Sequence, residues 1–192
     1  LLTHDLSSPR LAVYGERLGT YREIEDAINA AINDRAEVRD SASDRLRAVR
    51  IRMRNLQSSI ARRMESLTQS AEVRKLLSEP IVTVRKGRYC VPVRSEFKGA
   101  FQGIVHDTSA SGATLFMEPA AIVEAGNDLE VAHGEEEDEI RRILKCLCVK
   151  VGEKSTEILE NLRQLAALDL IFARAALAVA LEASEPDLNS QG

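Results

Sequence analysis

Apolar positions change their period twice along this chain. Between about 42 and 78, Leu46, Val49, Met53, Leu56, Ile60, Met64 and Leu67 recur at steps of three and four. That a/d-like seam predicts one long helix. Ser41 or Ser43 offers the N-cap, and no Gly or Pro intervenes before Pro80. At 1.5 Å per residue the helix would be roughly 55 Å long, and its stripe needs a partner. From about 120 to 183 the helical period returns in Ile140, Ile143, Leu147, Val151, Ile158, Leu162, Leu165, Phe172 and Ala176. Gly126, Gly134 and Gly152 are the places where this stretch would kink or divide. Upstream, residues 5 to 32 predict one or two short helices, with a break at Asn33-Asp34.

Between the long helices the alternation is that of strands. Ile81-Val82-Thr83-Val84 and Tyr89-Cys90-Val91-Pro92-Val93-Arg94 bracket Arg85-Lys86-Gly87-Arg88, a hairpin signal. Pro92 lacks a ladder donor, which predicts an edge strand or a bulge. A second pair, Gly103–Asp107 and Ala113–Met117, brackets the small polar loop 108–112. Two helices that leave and re-enter one small unit pair most economically antiparallel. The expected fold is therefore α+β, mainly α: two long antiparallel coiled-coil-like helices flanking a small antiparallel β unit. The expected segments are short helices at 1–40, a first long helix at 41–79, a β unit at 80–120, returning helices at 121–184 and a tail at 185–192.

Composition sharpens this reading. Aromatics are 4% with no Trp, while 44% of residues are apolar, so the core is aliphatic and helix-built. No apolar run reaches the roughly 18 residues of a membrane span, and no signal peptide is evident. Cys90, Cys146 and Cys148 have neither disulfide-framework nor zinc-ligand spacing. A cytoplasmic protein is expected, and the Leu1-Leu2 start without Met suggests a piece of a longer chain. The net charge of −4 conceals an asymmetry. Residues 35–98 carry 16 Lys and Arg against 7 Asp and Glu, and residues 118–185 carry 7 against 15.

Candidate chemistry is sparse. Gly152-Glu153-Lys154-Ser155 departs from a phosphate-binding loop by its inserted Glu. His106, Asp107, Ser109 and Ser111 contain triad residue types, but adjacent strand residues face opposite ways. A structural or contact loop at His106, Ser109 and Ser111 is the simpler reading. The Glu135–Glu139 run radiates round a helix and reads as a solvated face, not a metal site. No catalytic or metal-binding residue is expected. The basic residues are the better lead, because 20 Arg against 6 Lys suit bidentate contact with phosphate or carboxylate. Those on the first helix would pair with the acidic returning helix or meet a polyanion. Arg85, Lys86, Arg88, Arg94 and Lys98 on the β unit have few acids near them in sequence. Nucleic-acid backbone contact stands there beside local pairing and solubility; no recognition-helix motif suggests base readout.

Two long strings then carry a family resemblance. One is Arg88-Tyr89-Cys90-Val91-Pro92-Val93-Arg94-Ser95-Glu96-Phe97-Lys98-Gly99. The other is Gly103-Ile104-Val105-His106-Asp107-Thr108-Ser109-Ala110-Ser111-Gly112-Ala113-Thr114-Leu115-Phe116-Met117-Glu118-Pro119. With Glu37-Val38-Arg39-Asp40-Ser41-Ala42-Ser43 upstream, they resemble the middle of the bacterial MutS-II proteins. The resemblance is close over about 35 to 145 and looser in the flanking helices. Cys90 stands where an apolar residue is usual. The resemblance implies a clamp that touches DNA backbone, branched or duplex, and lever helices that join it to a dimerising ATPase. It implies a parent with an ABC-type ATPase after residue 192 and a C-terminal Smr nuclease domain. ATP and magnesium would belong to that parent, a homodimer, and no cofactor or active site to this fragment. It also implies an alternative, a lever gripping a collided ribosome or a protein partner.

Overall fold

The computed structural model describes residues 9–183. The expectations for residues 1–8 and 184–192 lie outside them. The chain divides into two compact units, one containing residues 30–144 and the other the segments on either side. The boundary thus falls within the returning helical stretch.

Helix α3 (Asp44–Gln69) carries the seam predicted for it. Leu46, Val49, Met53, Ile60 and Met64 are buried. Its N-cap is Ser43, whose Oγ accepts the Leu46 N–H at 3.0 Å. The helix ends earlier than the period suggested, at an extended Ser70. One further turn, α4 (Ala71–Arg74), follows. Sheet pairing is the reason. Leu76 O accepts from Arg94 N–H, Ser78 N–H donates to Pro92 O, both at 2.9 Å, and Leu77 is buried opposite Val93. Backbone that pairs with a strand cannot complete helical bonds as well.

The strands are β1 (Thr83–Arg85), β2 (Arg88–Arg94), β3 (Gly103–Thr108) and β4 (Thr114–Pro119). They form one sheet in the order β1-β2-β4-β3, with antiparallel neighbours throughout. Lys86 and Gly87, both at positive φ (50° and 78°), make the two-residue turn of the first hairpin, as a right-twisting type I′ connection requires. Pro92 departs from expectation, since β2 is an inner strand. Its carbonyl accepts from Ser78, so its missing donor faces the 77–82 connection and no β4 bond is lost.

Helix α5 (Ala120–Glu153) follows β4 directly and runs unbroken through Gly126 and Gly134. The expected division occurs only at Lys154, before α6 (Ser155–Ala180). Within residues 30–144, α3 and α5 are antiparallel: Ser43, Arg50, Arg52 and Arg63 meet Glu139, Glu136, Glu135 and Ala121 in falling order. The core lies between these helices and the sheet. It joins Met53, Ile60 and Met64 to Val91, Val93 and Met117 and to Ile122, Leu129 and Ala132. At about 25 cal/mol per Å2, this aliphatic burial is the unit's main source of stability.

The other unit contains α1 (Pro9–Glu16), α2 (Arg22–Ala31) up to Asn29, the end of α5 and α6. Asn161 brackets Gly19 by accepting from its N–H at 2.9 Å and donating to its carbonyl at 2.7 Å. Only Leu168 of α6 is fully buried. Leu162, Leu165 and Phe172, expected on the inward stripe, are at least half exposed. No helix among the described residues is long and apolar enough to cross a membrane.

Candidate nucleic-acid interface

Most arginines of α3 are spent inside the molecule. Arg50 donates to Glu136 Oε1 at 2.7 Å, to Asp40 Oδ1 at 2.6 Å and to the Val38 carbonyl. Arg52 reaches Glu135, Arg54 reaches Asp40, Arg47 reaches Asp44 and Arg45 approaches Glu139. The Glu135–Glu139 run is therefore no purely solvated face. Glu135, Glu136 and Glu139 form a charge seam against the basic helix. Glu139 is buried, accepts from Ser43 Oγ at 2.8 Å and is forked by Arg142. Arg142 first, then Ser43, holds its carboxyl down at about 2. Among the described residues no acid, His and Cys group has the makings of a metal site.

The hairpin cations divide in the same way. Arg85 lies over the Phe116 ring, 4.2 Å from its centroid, with Asp107 Oδ2 at 3.7 Å. Arg88 donates to the buried Glu118 at 3.3 Å and to Asn127 Oδ1 at 2.7 Å. These side chains are occupied by local pairing. Cys90 is fully buried in β2, and that burial, aided by the Glu118 charge, raises its thiol to about 11.

Lys86, Arg94 and Lys98 are exposed, but β2 separates the first from the other two by roughly 20 Å. Arg94 and Lys98 gain different neighbours. The Arg94–Leu76 bond brings Arg74 and Lys75 to the same end of the sheet. Ser95 N–H donates to Ala113 O at 3.0 Å, which places the 109–113 loop there too. Arg62 and Arg63 lie in the last turns of α3 and donate to the Ser58 and Ala121 carbonyls. Thus, among the described residues, Arg62, Arg63, Arg74, Lys75, Lys86, Arg94 and Lys98 have no carboxylate within ion-pair distance. The same stretch carries the acids Glu65, Glu72, Glu79 and Glu96, so cations are in excess. Arg74 and Lys75 were legible as part of the basic run, yet nothing in their spacing placed them beside Arg94.

The loop residues are mainly structural. Ser109 Oγ accepts from Thr114 N–H at 3.1 Å, and Gly112 N–H closes the turn on Ser109 O. Ser111 is exposed and 3.4 Å from Ser109 Oγ. His106 is not in the loop. It is the extra residue of a bulge in β3, between Val105 and Asp107, and its Nε2 lies 2.7 Å from Glu118 Oε2. Asp107 turns to Arg85 instead, so this set forms no catalytic triad. Glu118 escaped the sequence reading; its one signal was an acid in an otherwise apolar strand.

No protein-family model matches the chain. Curated relatives do. The chain is 48% identical over 184 residues to the endonuclease MutS2 of Shouchella clausii, and 45% to that of a Geobacillus species. It is 44% identical to the putative endonuclease MutS2 of Bacillus subtilis. Each match covers 96% of this chain but only 23–24% of the relative, so the chain spans about a quarter of the length of the curated relatives it matches. At this identity, sustained across a long-helix and four-strand architecture, the chain belongs to the MutS-II family, of which it represents one segment.

Proposed function

We propose that the chain is a non-catalytic lever and clamp segment that contacts nucleic-acid backbone through the sheet-bearing end of residues 30–144. The observation that carries this reading is a set of cations without a carboxylate partner among the described residues: Arg74, Lys75, Arg94 and Lys98 where α4 meets the end of β2, with Arg62 and Arg63 nearer the start of α5. Arg62, Arg63, Arg74, Lys75, Arg94 and Lys98 suit phosphate contact. The relatives' designation as endonucleases makes nucleic acid the fitting polyanion, and branched DNA is the form proposed here. In this reading α3 and α5 act as levers, and their interlocked charge seam makes them move together. They couple the contact to an ATPase domain of a dimeric parent. ATP, magnesium and the nuclease activity belong to that parent, outside this chain.

The test is fluorescence anisotropy of the chain with a labelled four-way junction and a matched duplex across a salt series. Four to six phosphate contacts give a log–log salt slope of about −4 to −5 on duplex. Reversing Arg74, Lys75, Arg94 and Lys98 to Glu should abolish binding while the circular dichroism spectrum stays unchanged. Reversing Arg85 and Arg88 tests something else, because those residues hold the β unit together. Absence of binding at low salt overturns the reading for the isolated segment. A second reading, an interaction lever gripping a collided ribosome or protein partner, draws on α6, where Leu159, Leu162, Leu170, Leu177 and Val179 are at least half exposed. Partner binding that is insensitive to salt and lost on Leu162→Asp favours it.

A further inference from the structure

The cation-bearing sheet is joined to α5 through a buried carboxylate. Glu118, the penultimate residue of β4, has a side chain only 2% exposed. Its Oε1 receives Arg88 of β2 at 3.3 Å, and its Oε2 receives His106 of β3 at 2.7 Å. Arg88 continues to Asn127 of α5 at 2.7 Å. The helix closes over this group at Gly126. A Cβ there would stand 2.7 Å from Glu118 Oε1 and 2.9 Å from Arg88 Nη1, closer than real carbon contacts come. One carboxylate thus ties three strands to the second turn of the returning helix. The bulge at His106 is what aims that ring at it.

We propose that Glu118 is a positioning residue that couples the sheet to α5, with Arg88 as the arm that reaches the helix and Gly126 as the space that admits it. A buried acid is a costly way to gain stability, because apolar replacements of buried ion pairs are often neutral or better. What the network adds is direction. Each partner is a different element, and the contacts have fixed geometry where apolar packing would permit sliding. Motion of α5 is therefore passed to β2, which carries Arg94 at its far end, and not absorbed at the β4–α5 junction. This inference deepens the clamp reading and rests on it for its purpose; the coupling itself is measurable without nucleic acid.

The experiment is amide hydrogen exchange on the whole chain and on Glu118→Gln, Arg88→Gln, the double variant and Gly126→Ala. The expected result for each single variant is exchange about tenfold faster in 103–107 and 120–127. The centre of α3 and all of α6 should be unchanged. The double variant should be no faster than the worse single one, since both remove the same link. Gly126→Ala leaves every charge in place, so it tests the geometry if Glu118→Gln fails to fold. Unchanged exchange in Gly126→Ala, or a uniform rise across 30–144, overturns the proposal and leaves Glu118 as ordinary core. If the wild-type chain binds no nucleic acid while these local effects appear, the clamp reading fails and the coupling stands. If it binds and exchange stays flat, the reverse holds.

Discussion

Glu139 shows how a single residue reverses meaning once its neighbours are known. Within a run of five acids it looks like solvent-facing charge. In the fold it is buried, bonded to Ser43, the residue that caps α3, and gripped by Arg142. Its carboxyl titrates at about 2, below the ordinary value of 4.5. The folded state therefore binds its proton less readily than the unfolded chain does. Stability from Glu139 is fully present above about pH 4.5 and is lost as the pH falls toward 2. Thermal melts of wild type and Glu139→Gln should differ most at neutral pH, with the gap closing between about pH 5 and about pH 2. A gap that does not narrow on acidification contradicts this account. Arg85 and Arg88 teach the same lesson for cations. Their residue type suits phosphate, but Asp107, Phe116 and Glu118 already occupy them.

At the scale of elements, the hairpin turn carries a cost that its sequence makes visible. Type I′ turns need positive φ at both central residues. Gly87 adopts it freely, whereas Lys86, at 50°, pays a side-chain penalty of about 1 kcal/mol. Asn tolerates this region better. Lys86→Asn should therefore stabilise the chain by up to about 1 kcal/mol in urea unfolding and leave the strand register intact. A loss of stability would mean that the Lys86 side chain makes contacts of its own. The seam of α3 was legible because its period is helical and its cap is a Ser. Its end was not, because Leu76–Ser78 leave the helix to pair with β2, and pairing partners distant in sequence do not show in a local period. Pro92 was misplaced for a related reason. A proline marks a missing donor but not which neighbour goes without it.

For the whole molecule, burial is unevenly shared. Residues 30–144 hold the aliphatic core, while α6 buries Leu168 alone and exposes much of its apolar surface. Local opening costs least where few apolar contacts must break. Amides of 155–180 should therefore exchange at least tenfold faster than those of 49–64 and of β2. Equal protection in the two units would show that the chain unfolds as one block.

The sequence by itself determined the long helices, the hairpin, the four strands and the family. Each of these rests on local periodicity or on a contiguous string of residues. The arginine-rich first helix and the acid-rich return made their pairing one of two readings, beside contact with a polyanion, and the fold chose pairing for Arg45, Arg50 and Arg52. Only the tertiary structure decided which cations remain for an outside partner. Carboxylates from β3, β4 and α5 reach back to neutralise Arg85, Arg88 and three arginines of α3, while Asp40 and Asp44 around the start of that helix take Arg54 and Arg47. The same folding brings Arg74 and Lys75 beside Arg94. Ion pairing depends on distance through space, and that distance is set by strand order and helix register.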